Sequence, residues 1–507
     1  MINAVEKNPP DISKEKMYDS LFLHNSEKGQ TAFRAQMHEM TNIICETFRK
    51  ENAPFTGKEP QTIEKEVEEL FDFHSSNQDF TALLNELKAP LFKNNLQISH
   101  EKSLAHLQCP PLIPAIAAEL AISVFNQSLD SWDQSPSATY LEEGMIKWLA
   151  GQFGYSSNAD GTFTSGGTQS NYTGLLLARD ACCLSLWGQN VQKDGLPEEF
   201  HKLRILCSEE AHFTVQKSAV QLGLGGKAVI KVKTDKHHRM SVSHLQYQLA
   251  ELKAQHLVPF ALVGTCGTTD FGSIDPLDEL AAIAHEEALW FHVDAAFGGA
   301  LILSESHKSK LGGICYADSL TVDFHKLFYQ PISCGAFLVK NKESFRFLNH
   351  HADYLNPLED VEAGIPNLVN KSILTSRRFD AFKLFLSLKT IGTNLFGEMI
   401  DYTFILAQAT AEYLSCQDDI KVENLSPELN TVIFRYEPQD FSTDRCKLNR
   451  KIQQELLYEG RAAIAKTSVN GQTFLKFTIL NPRTKMKHIQ EIVDDIRTLG
   501  RKWREHT

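Results

Sequence analysis

The sequence of 507 residues lacks several patterns that would narrow its function. Its ten cysteines form no CxxC pair and no Cys/His group with zinc spacing, which argues against a disulfide scaffold or a structural metal. No run of eighteen apolar residues occurs, so no membrane-spanning helix is predicted. The 51 basic and 63 acidic residues form no block of one sign, which argues against nucleic acid as a partner.

The start of the sequence also lacks the apolar stretch of a signal peptide. Together with the scattered cysteines, this predicts a cytoplasmic protein in a reducing compartment. The hydrophobic fraction of 42% is ordinary for a globular protein, and a chain of this length is expected to form two or three domains.

The central part of the chain alternates helix-length segments with short β-branched runs. The predicted strands are residues 203–208, 227–233, 260–266, 289–295, 319–323 and 335–340. Strands separated by helices indicate βαβ units, and therefore an α/β fold with a mostly parallel central sheet and helices on both faces. An antiparallel member is possible between the last two strands, where the connection is short.

Three domains are predicted from this pattern. Residues 1–95 read as an N-terminal helical arm that wraps a partner subunit, and residues 96–385 form the large domain. Residues 386–507 form a small α+β domain, after a long helix that begins near Ala381. Its predicted strands are residues 432–437 and 474–480.

A glycine-rich segment, TSGGTQSNYTGLLLAR at 164–179, is the first of five candidate site segments. Two glycines before an amphipathic helix present backbone N–H groups and the helix dipole to an anion. Gly166, Gly167 and Thr168 are therefore candidates for binding a phosphate, with Ser165 and Asn171 as neighbours. The alternative is an ordinary glycine-rich turn, and the spacing fits neither a P-loop nor a dinucleotide fingerprint.

Two further segments place polar side chains where predicted strands end. His212, in LCSEEAHFTVQ, falls near a helix start, where its ring could stack on an aromatic cofactor; a capping or surface histidine is the alternative. Thr268 and Thr269, in GTCGTTDFG, can offer hydroxyls to a cofactor oxygen or a carboxylate. Otherwise both threonines are turn residues.

The last two segments carry the chemically decisive pair. Asp294 ends the apolar strand LWFHVDA, where desolvation demands a positive partner such as a protonated pyridine nitrogen. Ala296 is small enough to let a flat ring lie close. Lys326 follows the strand SLTVD and precedes aromatic residues, so its ammonium is expected to be partly desolvated, as carbonyl chemistry requires. The neighbouring His325 can reach a phosphate.

In this order, the five segments resemble the group II pyridoxal-phosphate amino-acid decarboxylases, the family of aromatic-amino-acid and glutamate decarboxylases. The resemblance runs from about residue 100 to 500 and is most specific in HVDAA and the later HK pair. Residues 135–150, SPSATYLEEGMIKWLA, are similar to the SPxxTxLE element of the family. The resemblance implies a fold-type I, aspartate-aminotransferase-like architecture, pyridoxal 5'-phosphate as cofactor, and a homodimer with active sites at its interface.

The resemblance also implies roles for individual residues. Lys326 would be the Schiff-base lysine and Asp294 the partner of the pyridine nitrogen. His212 would stack on the ring, with Ala296 against the opposite face. Thr268 would lie beside the ring oxygen and the substrate.

Phosphate binding and proton transfer are implied in the same way. Gly167, Thr168 and His325 would hold the phosphate. Tyr354, in HHADYLNP, would be the loop tyrosine that protonates the reaction carbon. Where many relatives have Asn-Pro-His-Lys, this chain has Asp323 at the first position, which leaves the hydrogen bond from that position in question.

Among subfamilies, the segments VDFHKLFYQPISCG, LDSWDQSP and NLVNKSILTSRRFDA are most similar to bacterial 2,4-diaminobutyrate decarboxylases. These release 1,3-diaminopropane and belong to polyamine or siderophore metabolism. The second ammonium of a diamino acid needs acceptors in a closed site. Asp133 and Glu142 or Glu143 are the candidates, with a solvated helix face as the alternative for both glutamates.

Other functions stay open from the residues alone. The amino acid could be glutamate or an aromatic one. An aminotransferase or a carbon–carbon lyase would need the same Lys326 and Asp294. A catalytically silent protein that binds pyridoxal phosphate and a partner is the alternative from another class.

Overall fold

The computed structural model describes residues 18–50, 53–73, 79–349, 356–439 and 444–504. The chain divides into two compact units: Met1–Gln97 with Leu457–Ala462, and Ile98–Leu456 with Ala463–Thr507. The predicted domain boundaries at 95/96 and 385/386 stay predictions. Of the helices in the described ranges, none combines the length and the apolar character needed to cross a membrane.

The α-helices of the described residues are α1 (Glu27–Lys50), α2 (Pro60–Glu68), α3 (Phe80–Leu87), α4 (Ile113–Phe125), α5 (Pro136–Gln152), α6 (Gly167–Trp187), α7 (Val191–Asp194), α8 (Thr214–Gln221), α9 (Val242–Ala254), α10 (Leu277–Glu286), α11 (Leu358–Ala363), α12 (Ala381–Ser415), α13 (Arg445–Tyr458) and α14 (Met486–Arg504). The long helix predicted from Ala381 is α12, which Gly392 interrupts with a non-helical backbone.

The strands of the same residues are β1 (Ser103–Leu104), β2 (Asp160–Thr164), β3 (Leu203–Ser208), β4 (Val229–Val232), β5 (Val258–Thr265), β6 (Trp290–Asp294), β7 (Ser319–Asp323), β8 (Gly335–Val339), β9 (Ile420–Val422), β10 (Thr431–Tyr436), β11 (Ala463–Val469) and β12 (Gln472–Thr478). All eight predicted strands are present, with ends that differ by at most two residues.

The central sheet has the order β2-β8-β7-β6-β5-β3-β4 in the described part of the chain. Only β8 runs against the others, because it pairs antiparallel with both β7 and β2. The predicted antiparallel pair is thereby confirmed. Strand β2 was not predicted, because its short sequence DGTFT begins with Asp and Gly, which are depleted in strands. A Cβ at Gly161 would come within 2.5 Å of the Phe337 carbonyl oxygen, so the pairing with β8 requires glycine there.

Helices cover both faces of this sheet, as the sequence predicted. Along β3, Ile205 and Cys207 belong to one buried apolar cluster and Leu206 belongs to the other. The alternation follows from the two-residue period of a strand, with each face buried against helices. The fold is therefore a doubly covered α/β sheet.

A second sheet of the described residues has the order β1-β11-β12-β10-β9. Strands β11 and β12 form a hairpin whose turn, Asn470-Gly471, has positive φ at both residues, as a tight two-residue turn demands. The predicted runs at 432–437 and 474–480 are β10 and β12. Strands β1, β9 and β11 were not predicted.

The carboxyl ends of β6 and β7 lie side by side at one edge of the central sheet, because the two strands are adjacent and parallel. Asp294 ends β6, and Asp323 ends β7 three residues before Lys326. Helix α6 begins at Gly167, directly after β2. In open parallel sheets, ligands bind in the crevice at this edge.

Candidate active site

A cavity of about 320 Å³ lies at this edge of the sheet. Eight of the ten predicted site residues line it: Gly166, Gly167, Thr168, His212, Asp294, Ala296, His325 and Lys326. The other lining residues are Ser165, Asn171, Thr265, Gly267, Thr269, Phe297 and Asp323. Segments that are up to 160 residues apart in sequence thus meet around one space.

Glycines form the wall at the start of α6. Gly166 has φ of 141°, and a Cβ there would lie 2.9 Å from His325 Cε1. A Cβ at Gly167 would lie 3.2 Å from Asp323 Oδ2 and 3.4 Å from the Ala296 Cβ. The first N–H groups of a helix have no partner within the helix, so this end of the cavity suits an anion.

Asp294 is almost fully buried and is held by two donors. Its Oδ2 accepts a hydrogen bond from Asn171 Nδ2 at 2.7 Å, and its Oδ1 accepts one from the Ala296 N–H at 3.1 Å. Asn171 comes from the second turn of α6, so the helix that forms the anion end also orients this carboxylate. A buried carboxylate facing a cavity favours a cationic ligand atom.

His212 precedes α8 and is half-buried at the cavity. Its Nδ1 lies 2.9 Å from the Thr214 hydroxyl, and its ring is 4.2 Å from the exposed Phe213 ring. Burial lowers the pKa of His212, and the Lys326 charge lowers it further against the opposing effect of Asp294. The ring is therefore neutral near pH 7 in the cavity as it stands.

Lys326 is mostly buried, with 19% of its side chain exposed, as the sequence predicted. Its Nζ lies 3.3 Å from Asp323 Oδ2, while Asp323 Oδ1 is buried without a hydrogen-bond partner. His325 Nδ1 lies 2.7 Å from the Cys334 carbonyl oxygen, which leaves Nε2 for a ligand or for Asp323, 3.6 Å away. Aspartate at position 323 thus gives this chain a charged neighbour for both Lys326 and His325.

The segment after Lys326 is tied to helices α4 and α12. Lys383 on α12 is fully buried and donates hydrogen bonds to the carbonyl oxygens of Ser333 at 2.7 Å and Pro331 at 3.3 Å. The same ammonium lies 2.8 Å from Glu119 on α4 and 2.9 Å from Asp380. This cluster fixes the path of the chain between Lys326 and β8.

One predicted site residue, Thr268, does not line the cavity. Thr268 is fully buried, and its hydroxyl oxygen accepts a hydrogen bond from the Ser273 N–H at 3.1 Å, so it shapes the loop. The cavity is lined instead by Thr269, whose carbonyl oxygen accepts a hydrogen bond from Lys476 at 3.1 Å. Tyr354 lies outside the described residues.

The expected solvated face for Glu142 and Glu143 is wrong. Glu142 is buried and lies 2.9 Å from Arg377, itself buried, and it accepts a hydrogen bond from the Phe163 N–H at 3.1 Å. Glu143 pairs with Lys371 at 3.2 Å. Glu142 therefore fastens the SPxxTxLE-like helix α5 to β2, and neither glutamate is left over to bind a substrate ammonium.

Asp133 remains exposed. Its carboxylate accepts a hydrogen bond from the Ser131 hydroxyl at 2.6 Å. Its suggested contact with a substrate ammonium stays a prediction.

Comparison with known proteins agrees with this site. Residues 63–437 match the family model of the pyridoxal-dependent decarboxylase conserved domain. The chain belongs to the pyridoxal-dependent decarboxylase family. It is 41% identical over 415 residues to L-2,4-diaminobutyrate decarboxylase of Acinetobacter baumannii, covering 80% of this chain and 81% of that protein. It is 36% identical over 503 residues to the enzyme of the same name from Rhizobium meliloti, covering 99% and 98%.

A solved structure gives the same result for the fold. The glutamate decarboxylase domain of diaminobutyrate-pyruvate transaminase and L-2,4-diaminobutyrate decarboxylase from Vibrio parahaemolyticus matches with a TM-score of 0.89 and 40% identity. The match covers 96% of this chain and 99% of that one. The fold-type I architecture is therefore confirmed, and the protein is an amino-acid decarboxylase with pyridoxal phosphate as cofactor.

The cavity fits that cofactor. A phosphate needs N–H donors, which the start of α6 supplies beside two glycines at which a Cβ would be crowded. A protonated pyridine nitrogen needs a buried carboxylate, and Asp294 is one. The aldehyde needs a lysine, and Lys326 lines the same space. In the described ranges, no group of three or more His, Cys, Asp or Glu side chains could hold a metal ion.

Sequence reasoning missed how Asp294 is held. Asn171 was considered only as a neighbour of the phosphate, and His292 was not considered. The sequence did indicate that His292 lies on the same side of the sheet as Asp294, because residues two apart in a strand face the same side. His292 and Asp294 in β6 therefore point toward α6, where Asn171 lies.

Proposed function

We propose that this decarboxylase converts L-2,4-diaminobutyrate to 1,3-diaminopropane and CO2. The observation that carries the proposal is the similarity to two relatives of that name, at 36% and 41% identity over 99% and 80% of the chain. Relatives named for aromatic or acidic substrates match at 28–32% identity. The product is a short diamine of polyamine metabolism, and a part in siderophore metabolism stays a prediction.

The lining of the cavity supports a small polar substrate. Besides the two histidines, the described lining residues include one aromatic side chain, Phe297. An aromatic amino acid would need a larger apolar surface than this. The same lining contains no arginine to match the side-chain carboxylate of glutamate. Asp323, the carboxylate of the lining that the cofactor does not use, instead adds an acidic group beside Lys326, which suits a substrate with a second ammonium.

The proposed division of labour follows from the contacts. Lys326 carries the cofactor, and Gly167, Thr168 and His325 hold its phosphate. When bound, pyridoxal phosphate supplies the electron sink for loss of CO2. Asp294, kept as an acceptor by its two donors, holds the proton of the ring nitrogen.

His212 and Ala296 complete the proposed ring site. His212 would cover one face of the ring, and Ala296, whose Cβ lies 3.4 Å from the position that a Gly167 Cβ would take, would leave space on the other. Exclusion of water by these walls favours the loss of a carboxylate.

Tyr354 is the proposed donor of a proton to the reaction carbon. We expect Tyr354→Phe to lower kcat for diaminobutyrate, because the hydroxyl is the acidic group of that side chain. Steady-state CO2 release measures this, with Tyr316→Phe as control, since Tyr316 is exposed beside the opposite edge of the sheet. Equal kcat values in Tyr354→Phe and wild type would assign the proton to another group.

The test of the substrate is relative kcat/KM for CO2 release from 2,4-diaminobutyrate, ornithine, lysine, glutamate, tyrosine and dihydroxyphenylalanine, with product identification. We expect diaminobutyrate to lead, and ornithine and lysine to be slower because longer chains misplace the distal charge. A preference for glutamate or an aromatic amino acid would contradict the substrate proposal.

A pair of lysine variants tests the residue that carries the cofactor. Lys326→Ala should lose all activity and the borohydride-reducible bond to the cofactor, whereas Lys340→Ala, at an exposed position, should keep both.

We also propose a homodimer with its active sites at the interface. Helix α4 exposes an apolar stripe at helical spacing, formed by Ile113, Ile116, Leu120 and Val124. Ile332, six residues after Lys326, is 60% exposed in the segment that Lys383 ties to α4. A large apolar surface beside an active site is typical of an obligate interface.

Sedimentation velocity tests the dimer. We expect wild type to sediment as a dimer and Leu120→Asp to shift toward monomer with loss of activity, because a charge would be buried in the interface. Ile405→Asp, at an exposed apolar position on α12, is the control and should stay dimeric. An active wild-type monomer would contradict the proposal.

Cytoplasmic location is the last part of the proposal. All ten cysteines lie in described residues and none is in a disulfide, including the adjacent Cys182 and Cys183. Free thiols persist in a reducing compartment. Fractionation of the native host tests this, and recovery of the protein outside the cytoplasm would contradict it.

A further inference from the structure

Asn171 lies at the centre of a buried chain of hydrogen bonds behind the cofactor site. The Trp290 Nε1–H donates to Ser319 Oγ at 2.8 Å, and Ser319 Oγ lies 2.8 Å from His292 Nδ1. His292 Nε2 lies 2.9 Å from Asn171 Oδ1. Asn171 Nδ2 then donates to Asp294 Oδ2 at 2.7 Å.

The groups at the two ends of this series of hydrogen bonds determine which atom donates and which accepts at each step. An indole N–H only donates and a carboxylate only accepts, so Trp290 must be the start and Asp294 an end. The Asn171 amide must therefore turn its Nδ2 toward Asp294, which leaves Oδ1 to accept the Nε2–H of His292. The opposite tautomer of His292 would place two acceptors 2.9 Å apart.

The residues around this series of hydrogen bonds pack closely against the His292 ring and require it to be neutral. A Cβ at Gly174 would lie 2.6 Å from His292 Nδ1, so only glycine lets α6 approach the ring. His292 and Ser319 are fully buried. Burial lowers the pKa of His292 to about 4, so near pH 7 the ring is neutral, as acceptance of the Ser319 hydroxyl by Nδ1 requires.

A second branch leaves Asn171 toward His212. The other Nδ2–H of Asn171 donates to Thr214 Oγ1 at 2.9 Å, and Thr214 Oγ1 lies 2.9 Å from His212 Nδ1. Thr214 is buried, so its hydroxyl hydrogen would be unsatisfied unless it is donated to His212 Nδ1. The proton of neutral His212 then resides on Nε2, for which the structure records no protein partner among the described residues.

We propose that Asn171 is a positioning residue that fixes both polar groups of the cofactor site at once. One amide nitrogen keeps Asp294 as an acceptor for the ring nitrogen and, through Thr214, keeps His212 as the Nε2–H tautomer. His212 thereby presents a donor to the cavity. The inference rests on the proposed roles of Asp294 and His212 but on no particular amino-acid substrate.

The test is the tautomer of His212 in the cofactor-loaded protein with ¹⁵N-labelled histidine, read from two-bond ¹H–¹⁵N correlations and assigned with His212→Gln. We expect Nε2–H in wild type. In Asn171→Asp, the carboxyl groups of residues 171 and 294 lie about 2.7 Å apart and share one proton, so residue 171 has no hydrogen to donate to Thr214. The Thr214 hydroxyl then donates to residue 171 and accepts Nδ1–H from His212, and the tautomer reverses. A purely structural role for Asn171 would not reverse it.

Thr321→Val is the matched control. The Thr321 hydroxyl donates to Asn171 Oδ1 at 2.7 Å and is equally buried, but it lies on the far side of the amide. Removing it leaves the Nδ2 donors in place, so His212 should keep Nε2–H. A reversed tautomer in this control would show that any disturbance of the network suffices, which overturns the proposal.

Asn171→Ala gives a second test that does not depend on folding of the aspartate variant. Without the amide donor, Thr214 is free to accept from His212, and a signal of the Nδ1–H form should appear. Nε2–H alone in both Asn171 variants, or Nδ1–H in wild type, overturns the proposal. The result is independent of the substrate panel, so failure here is distinct from failure of the proposed function.

Kinetics add a second readout. In Asn171→Asp we expect kcat to fall about 100-fold with KM within about threefold, because the change acts on groups that orient the reacting site. A rise in KM with unchanged kcat would indicate that Asn171 contacts the substrate, and would contradict a positioning role.

Discussion

Removal of the buried ammonium of Lys383 is the perturbation whose size the structure defines best. Lys383→Met keeps the length of the side chain but removes the buried cation that lies 2.8 and 2.9 Å from Glu119 and Asp380, so that the more exposed Arg378 is left as their cationic neighbour. Burial already raises the pKa of Asp380 against the effect of Lys383. The carbonyl oxygens of Pro331 and Ser333 also lose their donor.

Breaking a buried ion pair from one side costs about 3–5 kcal/mol. The entropy of unfolding, about 2.1 cal/mol/K per residue, amounts to about 1 kcal/mol/K for a chain of 507 residues. We therefore expect the melting temperature of Lys383→Met to fall by about 3–5 °C. Differential scanning calorimetry on the cofactor-loaded protein measures the shift.

Two further variants decide the cause. Lys389→Met, at an exposed position on the same helix, should shift the melting temperature by less than about 1 °C, as surface substitutions do. Adding Asp380→Asn to Lys383→Met should recover about half of the loss, because one stranded charge is removed. A melting temperature for Lys383→Met equal to that of the Lys389→Met control would refute the reasoning.

Three other predictions follow from single observations. Gly166→Ala should raise the dissociation constant of the cofactor about tenfold or more by equilibrium dialysis, because a Cβ would clash with His325 at a strained φ; unchanged binding would contradict the cradle. His292, with a folded pKa of about 4 against 6.5 unfolded, binds its proton only after unfolding, so about 3 kcal/mol of stability should be lost as pH falls from 6.5 to 4. Calorimetry should show that His292→Gln loses less stability than wild type over this pH range. An equal pH dependence of stability in the two proteins would contradict the assignment of this loss to His292. Glu142→Gln should lower the melting temperature and leave relative kcat/KM across the substrate panel unchanged, since Glu142 pairs with Arg377; a tenfold or greater selective rise in KM for diaminobutyrate would instead make it a substrate contact.

The amino-acid sequence by itself was enough for six of the seven strands of the central sheet and for most of the cavity. Buried strands such as LRILCS and SLTVD are short apolar runs, and their pattern is local, so β3 and β7 were predicted to the residue. Asp294 and Lys326 follow such strands directly. Because parallel strands end at the same edge of a sheet, Asp294 and Lys326 could be expected at one crevice, and both line the same cavity.

Only the tertiary structure decided which polar atoms meet. Arg377 and Glu142 are 235 positions apart, and no local pattern distinguishes a buried ion pair from a solvated helix face. Thr269 rather than Thr268 lines the cavity because the loop turns the Thr268 hydroxyl toward Ser273. Asn171 joins Asp294 and His212 because the contact of α6 with β6 brings its amide between them, and a contact between distant segments has no local signal.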